Sequence, residues 1–228
     1  MKRLLLLSFL QLLILFLYGD AFGQMGRQWK IDDGLAFHKG CLIFSLTEGI
    51  SEVDYGVKPI YIDVFRRNSV SAHHDPLFIE YGFSREWSAG IELSADLLKI
   101  DPSKYYDNTT MSRDVTVIMS DASLYLSYHY LVTRSLDLSS IFGAGVSAVT
   151  INGKDNNAQY QYNSGGYIVR AATRGTYYFY KGLGVTGIVS AFTNYNSASN
   201  FKGNTFGKNY LTQIRGFSWE LGLCYRVH

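Results

Sequence analysis

Pro76-Leu-Phe-Ile-Glu-Tyr-Gly-Phe-Ser-Arg-Glu-Trp-Ser-Ala-Gly-Ile-Glu92 is the stretch on which the fold turns. Leu77, Ile79, Tyr81 and Phe83 alternate with Phe78, Glu80 and Gly82. After Ser84-Arg-Glu86 the pattern restarts, with Trp87, Ala89, Ile91, Leu93, Ala95 and Leu97 opposed by Ser88, Gly90, Glu92, Ser94 and Asp96. A period of two fits a strand whose faces meet different media, and two such runs joined by three residues read as a β-hairpin.

Working outward, the alternation recurs in Cys41–Ile50, Val115–Leu131, Leu136–Ala148, Gly166–Tyr178, Leu183–Thr193 and Tyr210–Val227, making eight segments with Leu77–Phe83 and Trp87–Leu97. The connections alternate in length: 51–76, 99–114, 149–165 and 194–209 are long, whereas 84–86, 132–135 and 179–182 are short. An antiparallel up-and-down meander with all its short turns at one end gives this rhythm, while Greek-key connections of a β-sandwich would scatter it. The reading is an all-β, eight-stranded antiparallel up-and-down transmembrane barrel. Val57–Arg66 also alternates, but a ninth wall strand would make the number odd, so it is placed in a structured first loop.

The polar faces hold Gly, Ser, Thr and Ala interspersed with Glu80, Glu92, Asp96, Asp137, Arg170, Arg174, Glu220 and Arg226. Small residues with sparse opposite charges suit a narrow interior, where charges pair because an unpaired buried one is costly. These eight are expected to form a lumen ion-pair network that leaves no large pore. Tyr81, Phe83, Trp87, Tyr128, Tyr130, Tyr177 and Tyr225 gather beside the short turns, as one aromatic girdle of a membrane barrel would.

The run from Pro76 to Glu92 resembles the second strand, tight turn and third strand of the small eight-stranded outer-membrane barrels of Gram-negative bacteria, the architecture of outer membrane proteins A, X and W. Arg170-Ala-Ala-Thr-Arg-Gly-Thr-Tyr-Tyr-Phe-Tyr-Lys-Gly-Leu-Gly-Val-Thr186 is similar to their sixth and seventh strands. The resemblance runs from about residue 39 onward and implies an outer-membrane location, long loops outside, short turns in the periplasm, and insertion by the barrel-assembly machinery. The family ends in an aromatic residue, whereas this chain ends Tyr225-Arg-Val-His228.

At the start, Lys2 and Arg3 precede an apolar run from Leu4 to Leu17, with small residues at Ala21 and Gly23. That is the plan of a secretory signal peptide over 1–23, shorter than the roughly 20 residues a membrane-spanning helix needs. Residues 24–39 then form a periplasmic segment and 40–228 the barrel. The 228 residues carry 21 Lys+Arg against 19 Asp+Glu, a net charge of +2, and so no basic field for nucleic acid.

Little in the chain points to chemistry. His73-His74-Asp75 could bind a metal, but adjacent His side chains diverge and no further ligand is indicated, so it reads as a solvated loop tip. Ser127 and His129 share a face and invite a hydrolase reading, yet they lie near the short turns. Asn108-Thr-Thr has the form of a glycosylation sequon without meaning in a bacterial barrel. Cys41 and Cys224 fall on the first and last strands, where a disulfide could cross the closing seam.

The expected role is structural or surface interaction through the long loops, in contact with outer-membrane lipid and with an extracellular ligand or protein as partner. No catalytic, cofactor-binding or metal residue is assigned. The alternatives are a lipid-modifying enzyme, a small-solute conduit, or a soluble secreted lipocalin-like carrier with its large residues inward.

Overall fold

The computed structural model describes residues 34–59, 66–100, 114–155, 158–202 and 210–227. The expected signal peptide, the sequon at Asn108 and the middle of Val57–Arg66 lie outside them. Eight strands pair with their sequence neighbours throughout: β1 (Leu42–Pro59), β2 (Arg66–Gly82), β3 (Trp87–Ile100), β4 (Asp114–Val132), β5 (Leu136–Asp155), β6 (Ala158–Tyr180), β7 (Leu183–Lys202) and β8 (Tyr210–Val227). β8 pairs with β1, so the sheet is a closed barrel.

The strands are longer than the apolar alternation suggested. β5 reaches Asp155 and β6 begins at Ala158, so the expected loop over 149–165 is mostly hairpin. The ends of Val57–Arg66 extend β1 and β2 instead of forming a separate element of the first loop. Backbone pairing needs no apolar face, so a ladder continues where the period-two signal fades.

The register fixes the dimensions. Following hydrogen-bonded partners from Phe44 through Ile79, Ile91, Leu124, Ala144, Val169, Thr193 and Arg215 returns to β1 at Asp54, a stagger of ten residues. For eight strands at ordinary spacing this tilts them by about 41°, gives a wall radius of about 8 Å and about 2.5 Å of axial rise per residue. Such a cylinder holds side chains but little else.

At the short-turn end, β6 and β7 are joined through Lys181 and Gly182, with φ of 36° and 87°. Two consecutive positive φ values mark the two-residue turn whose twist matches a hairpin. A Cβ on Gly182 would also lie 2.4 Å from the Arg226 carbonyl, so glycine is needed for space as well as for φ.

The large apolar residues face outward. Leu124 and Leu221 are 69% and 70% exposed, and Ile91, Leu126, Phe142, Val146, Val189 and Phe217 join them. This is the reverse of a lipocalin-like carrier and corrects that alternative. From Trp87 and Tyr177 at the short-turn end to the stacked pair Tyr167 and Tyr195, the apolar outer band is roughly 25 Å tall, the height of a membrane barrel's band.

Candidate functional site: the filled lumen

Inward side chains form tiers along the barrel axis. In the tier nearest the short turns, Arg174 grips Glu80 with two donors, Nη1 to Oε2 at 2.5 Å and Nη2 to Oε1 at 2.9 Å. Ser88 and Tyr125 donate to the same carboxylate, at 2.7 and 3.0 Å. Gly90 makes room for this, since a Cβ there would meet the Tyr125 hydroxyl at 2.5 Å. His129 completes the tier, with Nδ1 2.8 Å from Asp137 Oδ1 and Nε2 3.2 Å from Glu80 Oε1.

Phe78, Tyr125, Ile141 and Ile188 form an apolar layer above. Beyond it Arg170 bridges Glu92 and Glu220. His74 joins from β2, with Nδ1 2.6 Å from Asp96 Oδ1 and Nε2 3.4 Å from Glu220 Oε1. Burial in a lumen leaves each guanidinium and carboxylate few alternatives to one another.

Of the eight residues assigned to a network, the structure therefore brings seven into two separate groups, and Arg226 into neither. Arg226 instead donates to the carbonyls of Leu35 and Ala36 and lies over the Tyr178 ring at 4.7 Å. His74 and His129 are the members the sequence reading missed. They alternate inward with Glu80 and Tyr125, although the sequence pattern offers His74 only as part of a metal candidate and His129 only as a partner of Ser127.

The mouth at the short-turn end is closed by the segment before β1. Ala36 and Phe37 are fully buried; the Ala36 N–H donates to the Thr133 carbonyl at 2.7 Å, and the Phe37 ring stacks on His129 with centroids 3.5 Å apart. Cys41 and Cys224 border the apolar cluster made by this segment, Ile43 and Tyr178, and both are free thiols. Of the two readings open in the sequence, a seam disulfide or two packed thiols, the register fits the second: Cys224 pairs with Ser45, and Cys41 lies four positions before Ser45. Burial pushes the Cys41 thiol up to about 11.

The long-loop half of the lumen differs from its sequence reading. Val53, Ala72, Leu98, Val117, Met119, Val149, Ile151, Ile168, Phe192 and Ile214 form one buried cluster to which all eight strands contribute. Asn194, donating to Asp121 at 3.2 Å, sits beneath it. The inward faces read as Gly, Ser, Thr and Ala with sparse charges, and Val53, Ala72, Val149 and Ile151 fall in the expected long connections; the paired strands bring these four into one apolar cluster.

The residues considered for hydrolysis are rearranged. Ser127 Oγ is buried with no hydrogen-bond partner among the described residues, while Ser88 Oγ lies 2.9 Å from His129 Nε2. Ser88, His129 and Asp137 thus have a triad's order of contacts. Yet the Ser88 hydroxyl donates to Glu80, carboxylates face both ring nitrogens of His129, and Phe37 covers the ring. A base must be free to take the nucleophile's proton, and this imidazole has a carboxylate against each ring nitrogen.

On the outside, Tyr81, Phe83, Trp87, Tyr128, Tyr130 and Tyr177 are exposed near the short turns, and Tyr225 is partly covered. Trp87 and Tyr128 touch at 5.0 Å between centroids. Tyr178, next to Tyr177 in sequence, points into the lumen instead. His73, His74 and Asp75 belong to β2 and not to a loop tip, with His74 inward and His73 outward.

No family model matches the chain, and no curated protein does. Solved structures do. The outer membrane protein OprG from Pseudomonas aeruginosa superposes with a TM-score of 0.52 at 13% identity, over 84% of this chain and 97% of that one. The outer membrane protein AlkL in lipid bilayers gives 0.48 at 12%, over 89% and 97%. Ail, the attachment invasion locus protein of Yersinia pestis, gives 0.41 at 13%, over 83% and 99%. The likeness to OprG is one of fold. An even-stranded closed barrel with short turns at one end and an apolar outer band of this height is the outer-membrane form of a membrane protein, and the outer membrane is where this chain resides.

Proposed function

We propose that the protein is a sealed outer-membrane barrel whose work is done at its long-loop end, as a structural or surface-interaction protein, and that it is neither a pore nor a hydrolase. The observation that carries this reading is the filled lumen. A closing segment, two ionic groups and an apolar cluster succeed one another along the axis, within a wall of about 8 Å radius. Such an interior stiffens the wall and leaves the strand extensions beyond the apolar band as the surface offered to an extracellular ligand or protein. In this reading the exposed rings beside the short turns act as the periplasmic girdle, and residues 1–23 act as the export signal that delivers the chain to the assembly machinery.

Conductance of the purified full chain in planar bilayers tests the reading. The expected result is no steady channel. A general-porin conductance from the intact chain would overturn the sealed barrel. Esterase or lipid-deacylating activity that Ser88→Ala abolishes would overturn the non-enzymatic role.

A further inference from the structure

We propose that Glu48, His73 and Asp75 form a divalent-cation site, suited to zinc, on the outer wall where β1 meets β2. His73 and Asp75 are two residues apart on one strand and so share its outward face, while His74 between them turns inward to Asp96. The third ligand comes from the neighbouring strand. Paired positions run to Leu46 opposite Leu77 and resume at Gly49 opposite His74, so Glu48 stands across from Asp75, beside Pro76. Proline offers no N–H to the ladder, and the side chains gather at that interruption.

The two distances from His73 already match the spacing of ligand atoms around a tetrahedral ion. His73 Nε2 lies 3.2 Å from Glu48 Oε1 and 3.3 Å from Asp75 Oδ1, and one donor atom from each residue falls within 4.8 Å of the others. A tetrahedral zinc with bonds of about 2.0–2.1 Å holds its ligand atoms about 3.3 Å apart. Magnesium and calcium prefer oxygen throughout, so the imidazole favours zinc among the abundant dications. Three protein ligands leave one position for a further oxygen donor.

The setting supplies a second and independent argument. These side chains are 39% (His73), 73% (Glu48) and 42% (Asp75) exposed, on the outer face of a barrel whose flanking positions are Ile50, Phe217 and Trp219 on one side and Leu93 and Leu97 on the other, all exposed. With the tilt included, the cluster stands roughly 14–20 Å above the rings of the short-turn end, inside the apolar band. Charge facing lipid is costly. With both carboxylates ionised, the three side chains carry a net negative charge whether the histidine is neutral or cationic. A dication bound to them with neutral His73 brings that sum to zero.

Zinc titration of the untagged, metal-stripped full-length barrel in detergent, with cobalt as a visible probe, tests the site. The expected result is one tightly held ion per barrel and the intense visible absorption of four-coordinate cobalt. His73→Ala, and separately Glu48→Gln with Asp75→Asn, should weaken binding at least tenfold, while Asp54→Asn, an exposed carboxylate on the same strand as Glu48, should not. Heat-modifiable mobility on gels checks that each variant is folded. Equal binding by wild type and variants, the weak spectrum of six-coordinate cobalt, or no binding at all would overturn the proposal. A barrel that conducts ions yet holds zinc would sink only the sealed lumen, because the site lies on the outer wall.

Discussion

In the short-turn half of the lumen the side chains that meet across the axis are charged, whereas near the long-loop end all eight strands send in apolar ones. Both halves fill the same cylinder, but they fail in different ways when altered. A charged tier is a set of mutual obligations, since each guanidinium or carboxylate is tolerable only while its partner remains. An apolar tier is a set of independent contacts, each lost with its own methyl groups.

The largest effect is expected at Arg174. Replacing it by Met leaves Glu80 in a sealed lumen with its strongest partner gone, a loss of about 3–5 kcal/mol. Adding Glu80→Gln should restore most of that, because the obligation is then removed from both sides. Urea unfolding of the folded barrel in detergent, followed by the heat-modifiable band, measures both. If the double variant is as unstable as the single, the short-turn tier is held by packing and the contrast with the other half disappears.

Leu98, fully buried in the long-loop cluster, should behave otherwise. Leu98→Ala removes apolar contacts and leaves a void, at about 2–5 kcal/mol, with its cost set by how far Val117 and Ile214 relax. Combined with Arg174→Met the two losses should add, since the tiers share no partners. A coupling beyond about 0.5 kcal/mol would show that the lumen responds as one unit.

How much of this was legible in the sequence follows from what imposes a pattern. Between Pro76 and Glu92 the wall faces lipid on one side, so every second residue is apolar and both strand identity and facing could be read. Past the apolar band that constraint ends, and strand length, as in β5 and β6, left no trace in the alternation. Inward direction was legible for Glu80, Glu92 and Arg174, but their grouping was not, because partners such as Glu80 and Arg174 are 94 residues apart. The closing segment Leu35–Gly40 has no periodicity at all, and its place depends on Arg226 from the other end of the chain. Likewise Glu48 could not be joined to His73 until the register of β1 and β2 was known.

The smallest effect sharpens the comparison most, because it keeps the chemistry and changes only the medium. Arg215 Nη2 lies 3.1 Å from Asp54 Oδ2 across β8 and β1, near the upper edge of the outer band, with side chains 51% and 39% exposed. It is an arginine and a carboxylate, as in the Arg174–Glu80 pair, but outside the wall and within reach of water. Arg215→Met should therefore cost only about 0.2–1 kcal/mol, because solvent takes over each partner when the other is gone. Raising the ionic strength should erase even that difference, whereas the cost of Arg174→Met should persist, since mobile ions cannot screen a pair enclosed by the barrel. Unfolding both variants at low and high salt separates the two cases. Equal costs, or equal salt sensitivity, would mean that water reaches Glu80 as freely as Asp54, and the lumen would then have to be open at its short-turn end.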